Sequence, residues 1–80
     1  MEVRIIGYKE GTGKYKGKLG SYECETKNGK KFNCGSGLDD DMRDNRLDVG
    51  VFITVKYFEL SKEGVPRFPV FLRKAERQQF

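Results

Sequence analysis

The chain has no histidine and only two cysteines, Cys24 and Cys34, among its 80 residues. With no CxxC pair either, a zinc site has too few ligands, so no metal site is expected. No apolar run approaches the roughly eighteen residues of a membrane span, and the first residues lack a signal-peptide pattern. The sequence therefore reads as an intracellular, cytoplasmic protein with no membrane partner. Two nucleotide signatures are also missing. Residues 11–20, GTGKYKGKLG, invite a phosphate-loop reading, but Gly17-Lys18 is followed by Leu19 instead of Ser or Thr, and Thr12 stands where the leading glycine belongs. The dinucleotide fingerprint fails as well, because Lys16 occupies the place of its third glycine.

What is present is a small, basic, aromatic-rich domain. A chain of this length buries only roughly 60% of its unfolded surface, so one compact core must suffice and a second catalytic domain does not fit. Apolar residues make up 36% and charged residues 35%, with six Phe and four Tyr as large core pieces. Net charge is +4. Residues 1–34 carry eight Lys/Arg against four Asp/Glu, residues 35–50 two against five, and residues 51–80 six against three. Two basic segments thus flank an acidic one. If the basic segments meet in space with the acidic one turned away, they form a patch suited to a polyanion.

The order of elements follows from periodicity and turn signals. Residues 3–9 (VRIIGYK) form a first strand, and the glycine-lysine loop ends it. Residues 21–26 alternate, with Tyr22, Cys24 and Thr26 on one face and Ser21, Glu23 and Glu25 on the other. A two-residue Asn28-Gly29 turn into residues 31–34 would mix core and solvent faces. A three-residue loop over 27–29 with Gly29 left-handed instead sets Cys24 opposite Phe32 and Tyr22 opposite Cys34. Both thiols then face the core, diagonally offset by about 7 Å, which suits buried, reduced cysteines better than a disulfide.

Beyond this hairpin, residues 39–46 (DDDMRDNR) place acids early and arginines late, as the helix dipole prefers. A helix of about two turns capped by Ser36 or Asp39 is expected. Residues 49–60 (VGVFITVKYFEL) form the longest strand candidate, with Val51, Ile53, Val55 and Tyr57 on the core face. Phe52 and Phe58 on the other face are expected to be covered by the helix. Residues 67–73 (RFPVFLR) form the last strand, placed at an edge or bulged because Pro69 donates no ladder bond. Residues 76–80 form a C-terminal tail, mobile or a helical stub. Three strands, a short helix and two strands define an all-β, five-stranded Greek-key OB-fold barrel over residues 1–75, with one short helix between strands 3 and 4. An SH3-like barrel is the structural alternative, but it leaves the helix harder to place.

These residues also carry a family resemblance. IIGYKEGTGKYKGKLGSYECETKNGKKFNCGSGL, then VGVFITVKYFEL and GVPRFPVFLRKA, resemble the C-terminal OB domain of ATP-dependent DNA ligases of the compact bacterial and viral type, over residues 3 to about 75. In that family a separate nucleotidyltransferase domain holds the lysine that is adenylylated and binds most of the ATP and Mg. The OB domain closes over a nicked duplex. The Lys-x-Asp-Gly motif of the adenylylated lysine is absent here. The resemblance therefore implies no catalytic residue, no cofactor held by this chain and no self-sufficient sealing activity. The chain is expected to be an OB domain of a longer ligase or a free-standing relative, monomeric, with a role in DNA repair or replication.

The resemblance also locates candidate contacts. Residues 67–71 match the opening of the family's last nucleotidyltransferase motif, whose basic residues orient the ATP triphosphate. Family members commonly carry an arginine where this chain has Ala75, which leaves DNA backbone contact as the better role for Arg67, Arg73 and Lys74. Together with Lys14, Lys16 and Lys18 these are the expected phosphate contacts, and binding should be sequence-tolerant and salt-sensitive. Tyr15 lies against a sugar or base, or packs back on the barrel. The outward side chains of strands two and three, Ser21, Glu23, Glu25, Lys31 and Asn33, include no aromatic, which favours double-stranded or nicked DNA over stacked single strands. Other partners are a nucleotidyltransferase domain in cis or trans, or a protein that meets Phe52 and Phe58.

Overall fold

The computed structural model describes all residues, 1–80. Strand β1 (Glu2–Glu10) is the backbone of the fold. Its alternation buries Val3 and Ile5 completely and leaves Arg4 outside. Residues 2–4 pair with β4 (Phe52–Lys56), and residues 4–10 pair with β2 (Leu19–Glu25). Register shifts after Ile5 and after Lys9 bend the strand. One long, bent strand can thus serve two neighbours, which curls the sheet.

The β2–β3 hairpin has the expected register, since β3 (Lys31–Cys34) sets Cys34 against Tyr22 and Phe32 against Cys24. Thr26 N–H donates to Lys30 O at 2.8 Å across a loop of residues 27–29, and Gly29 has φ +81°. Both thiols are free and buried. Burial pushes Cys24 up to about 12 and Cys34 up to about 11.

Helix α1 (Asp40–Asp44) is shorter than the expected two turns. Asp39 caps it by accepting from Met42 N–H at 2.8 Å, and Asn45 N–H closes the far end on Asp41 O. The long strand expected over 49–60 is also cut down. Gly50, with φ +96°, donates its N–H to Ile5 O before β4 starts. After Lys56 the chain leaves the sheet, and β5 (Glu59–Leu60) pairs with β6 (Pro66–Arg67) as a separate ribbon. Pro69 separates that ribbon from β7 (Val70–Lys74), so the single strand expected over 67–73 is two short ones. The edge position expected for the proline-bearing strand is found: the sheet order is β3-β2-β1-β4-β7, with β7 outermost.

Closure is the main departure from a continuous barrel. The two edges of the sheet meet only at a parallel bridge between Ser36 and Val70, where Phe71 N–H donates to Ser36 O at 2.8 Å. Gly37 makes this approach possible: its φ is +83°, and an added Cβ would stand 2.5 Å from Phe71 O. The fold remains that of the OB class, five antiparallel strands with a short helix between the third and fourth. Its core contains Ile5, Leu19, Tyr22, Ile53, Val55 and Phe71.

The second face of β4 is covered by a different element from the expected one. Phe52 is buried, but beneath Phe80, whose ring meets it edge-on at 4.7 Å, and not beneath the helix. Gln78 reinforces this by bonding both the N–H and the C=O of Phe52. Phe58 is 81% exposed, and its ring stands edge-on to that of Phe68 with the centroids 6.3 Å apart. No helix is long and apolar enough to cross a membrane. No group of three or more Cys, Asp or Glu side chains is placed to hold a metal ion.

Candidate nucleic-acid interface

The glycine-lysine loop joins β1 to β2 and folds into a single 3-10 turn, Gly13–Tyr15. Its glycines have conformational work that is independent of any ligand. An added Cβ on Gly11 would lie 2.4 Å from Tyr15 Cβ, and one on Gly20 would lie 2.7 Å from Gly11 Cα. Gly13 and Gly17 have φ of +59° and +83°. The loop is thus a compact coil whose backbone strands touch, with Gly11 N–H donating to Lys18 O and Lys18 N–H to Tyr15 O, both at 2.9 Å.

Arg43 of α1 braces this coil. Its guanidinium donates to Leu19 O at 2.8 Å, Gly20 O at 3.0 Å and Gly35 O at 3.2 Å. The same group lies 4.1 Å from the centroid of Tyr15. Tyr15 therefore packs back onto the domain, which was one of its two expected positions. Lys14 Nζ sits 4.9 Å from the centroid of the same ring. The arginine thus ties β2, the end of β3 and the loop together through one planar group.

The lysines differ in their surroundings. All three are exposed, but Lys18 is engaged by Asp44 of α1 at 3.0 Å. That hydrogen bond, then the charge of Asp44, raise the Lys18 pKa. The acidic segment is therefore packed against the basic loop and is not turned away from it. Lys14 and Lys16 take part in none of the three ion pairs, which are Arg4–Glu25, Lys18–Asp44 and Arg67–Glu59.

The second basic group lies elsewhere. Arg73 stands across from Thr54, which stands across from Glu2, so it belongs to the row at the start of β1. Lys74 is one residue further on, paired with Ile53. Arg67 sits on the β5–β6 ribbon and reaches Glu59 at 3.5 Å. The loop follows the other end of β1, so the strand separates the two groups by at most roughly 26 Å. Arg73 and Lys74 thus lie beside the start of β1, and the loop lysines beyond its end.

Three positions were not singled out as site residues by sequence reasoning. Arg43 was legible only as a dipole partner at the end of a short helix, because its carbonyl partners lie 8 to 24 residues away in the chain. Lys9 and Arg46 line a surface hollow of about 260 Å³ with Lys18 and Gly17. Only the tertiary structure brings residue 46 to the end of β1.

A curled five-stranded sheet with a helix between its third and fourth strands, and a basic loop between the first two, defines an OB-fold domain. The chain belongs to the DNA ligase OB-like domain family, whose model matches residues 10–74. A curated DNA ligase of Haemophilus influenzae is 32% identical over 73 residues, covering 91% of this chain and 27% of that protein. The chain therefore spans about a quarter of the length of that relative. A solved Lig E DNA ligase, reported as DNA binding with a minimal scaffold, superposes with TM-score 0.88 at 36% identity, covering 92% of this chain and 29% of the other. Chlorella virus DNA ligase-adenylate superposes with TM-score 0.78 at 28% identity, covering 96% of this chain and 30% of the other.

Proposed function

We propose that this domain grips the backbone of a nicked or intact DNA duplex and does so without catalysing a reaction alone. The observation that carries this reading is the pair Lys14 and Lys16, exposed, free of carboxylate partners and displayed on a coil that Arg43 braces through Tyr15. A braced loop presents its charges without a large ordering cost, and phosphate contacts of this kind position a protein without reading sequence. Lys18, Arg67, Arg73 and Lys74 are further contacts. The loop follows the end of β1 while Arg73 and Lys74 lie beside its start, so the two groups address different stretches of backbone.

In this reading the adenylylation chemistry, with ATP and Mg, belongs to a separate nucleotidyltransferase domain in cis or trans, and the monomeric OB domain serves nick sealing in repair or replication within the cell. Gel-shift titration of nicked and intact duplex at two salt concentrations tests the grip. Binding should weaken steeply with salt and weaken further in Lys14→Gln/Lys16→Gln. Absence of any affinity at low salt refutes the reading. Mixing the domain with a nucleotidyltransferase domain, ATP and nicked DNA tests the second half, and unchanged sealing rejects it.

The exposed aromatic rim supports a protein contact as a second reading. Phe58 and Phe68 are 81% and 75% exposed beside Leu72 and Lys56. A nucleotidyltransferase domain docked there would be released by Phe58→Ser, while the loop lysines would not affect it.

A further inference from the structure

The hollow at the end of β1 has the composition of an anion site. Lys9, Lys18 and Arg46 line it together with Tyr8, Glu10 and Gly17. Arg46 is held in place: its guanidinium lies 4.4 Å from the centroid of Tyr8, and the Tyr8 hydroxyl donates to Leu47 O at 2.6 Å. Tyr22 adds to this lock, its hydroxyl accepting from Leu47 N–H at 2.9 Å. Neither Arg46 nor Lys9 belongs to any of the three ion pairs. A guanidinium stacked on an aromatic face keeps its N–H edge available, and that planar edge matches the oxygens of a phosphate.

Two carboxylates bear on the same hollow, and both are occupied. Glu10 accepts from Gly17 N–H at 2.9 Å, which ties its charge to the loop backbone. Asp44 holds Lys18 in an exposed ion pair, which is weak enough for a phosphate to displace.

We propose that this hollow binds one phosphodiester group of the duplex backbone, with Arg46 and Lys9 as direct contacts and Lys18 turning to it from Asp44. The proposal rests on the duplex-binding reading and adds a subsite on the β1 side of the loop.

The test is fluorescence anisotropy with a labelled nicked duplex across a salt series, comparing the wild-type domain, Lys9→Gln/Arg46→Gln, Lys14→Gln/Lys16→Gln, and Lys30→Gln on the distant β2–β3 turn. The Lys9/Arg46 variant should lower the slope of log affinity against log salt by roughly 2 and weaken binding by on the order of tenfold per lost contact near 0.1 M salt. Lys30→Gln should match the wild type. A wild-type slope in the Lys9/Arg46 variant, with weakened binding in the Lys14/Lys16 variant, overturns the hollow and leaves the duplex reading intact. No wild-type affinity at low salt overturns both. Should the Lys9/Arg46 variant misfold, the amide resonances of Lys9, Gly17 and Arg46 in the wild-type domain decide the matter. They shift on adding duplex if the hollow is the site, and their constancy overturns it.

Discussion

Replacing Arg43 with methionine removes one planar group that serves three carbonyls and an aromatic ring. Hydrogen bonds from a charged donor contribute about 1.5–3 kcal/mol each, but these three share one guanidinium and are not additive. The ring contact adds about 0.5–1 kcal/mol. Methionine keeps most of the aliphatic stem and removes the buried Nε, which has no partner in the native structure and offsets part of the loss. A net destabilisation of about 3 kcal/mol results, corresponding to a fall in melting temperature of roughly 12–24 °C for a domain of this size. Arg43→Lys retains one donor and the charge, so it should fall between the two. Thermal melting followed by circular dichroism measures the effect, and amide exchange localises it. The N–H groups of Gly11, Lys16 and Lys18, bonded within the loop, should exchange faster in the variant even well below its melting point. A melting temperature within about 3 °C of wild type refutes the brace.

Three further outcomes follow from the geometry. Gly37→Ala places a left-handed alanine against Phe71 O at the only bridge closing the sheet, so it should cost at least about 2 kcal/mol in urea denaturation. The buried thiols bind protons in the folded state that the unfolded chain releases above its ordinary value of 9.0, so stability is fully present below that pH and is lost as pH rises towards about 11 and about 12. With two such groups the loss approaches about 2.7 kcal/mol per pH unit, and Cys24→Ala/Cys34→Ala should flatten the alkaline limb of a denaturation series. Asp44→Asn frees Lys18, so its pKa should fall back and duplex affinity should rise by roughly two- to fivefold at low salt, with little change in melting temperature.

The sequence was most informative where partners are close along the chain. The alternation of Tyr22, Cys24 and Thr26 and the position of Gly29 were enough to set the β2–β3 register, because only one loop length keeps both apolar faces on the same side. The Asp39 cap, one of two candidates, and the edge place of the proline-bearing strand were legible for the same reason, each being decided by the backbone chemistry of a few neighbouring residues, whereas the break of that strand into two was not. The even alternation over 49–60 misled, since periodicity cannot show that Gly50 turns back onto Ile5 or that the chain departs after Lys56.

The candidate site divides along the same line. Composition and spacing alone determined that residues 11–20 form a basic, glycine-rich stretch lacking both nucleotide-binding fingerprints, and that the chain has no histidine and no Lys-x-Asp-Gly motif. Which lysines are free, what steadies Tyr15 and what covers Phe52 were decided by the tertiary structure. Asp44, Arg43 and Phe80 stand 26, 28 and 28 residues from Lys18, Tyr15 and Phe52 respectively. Their pairing depends on how the bent β1 strand curls the sheet, and no local preference of the chain encodes that distance.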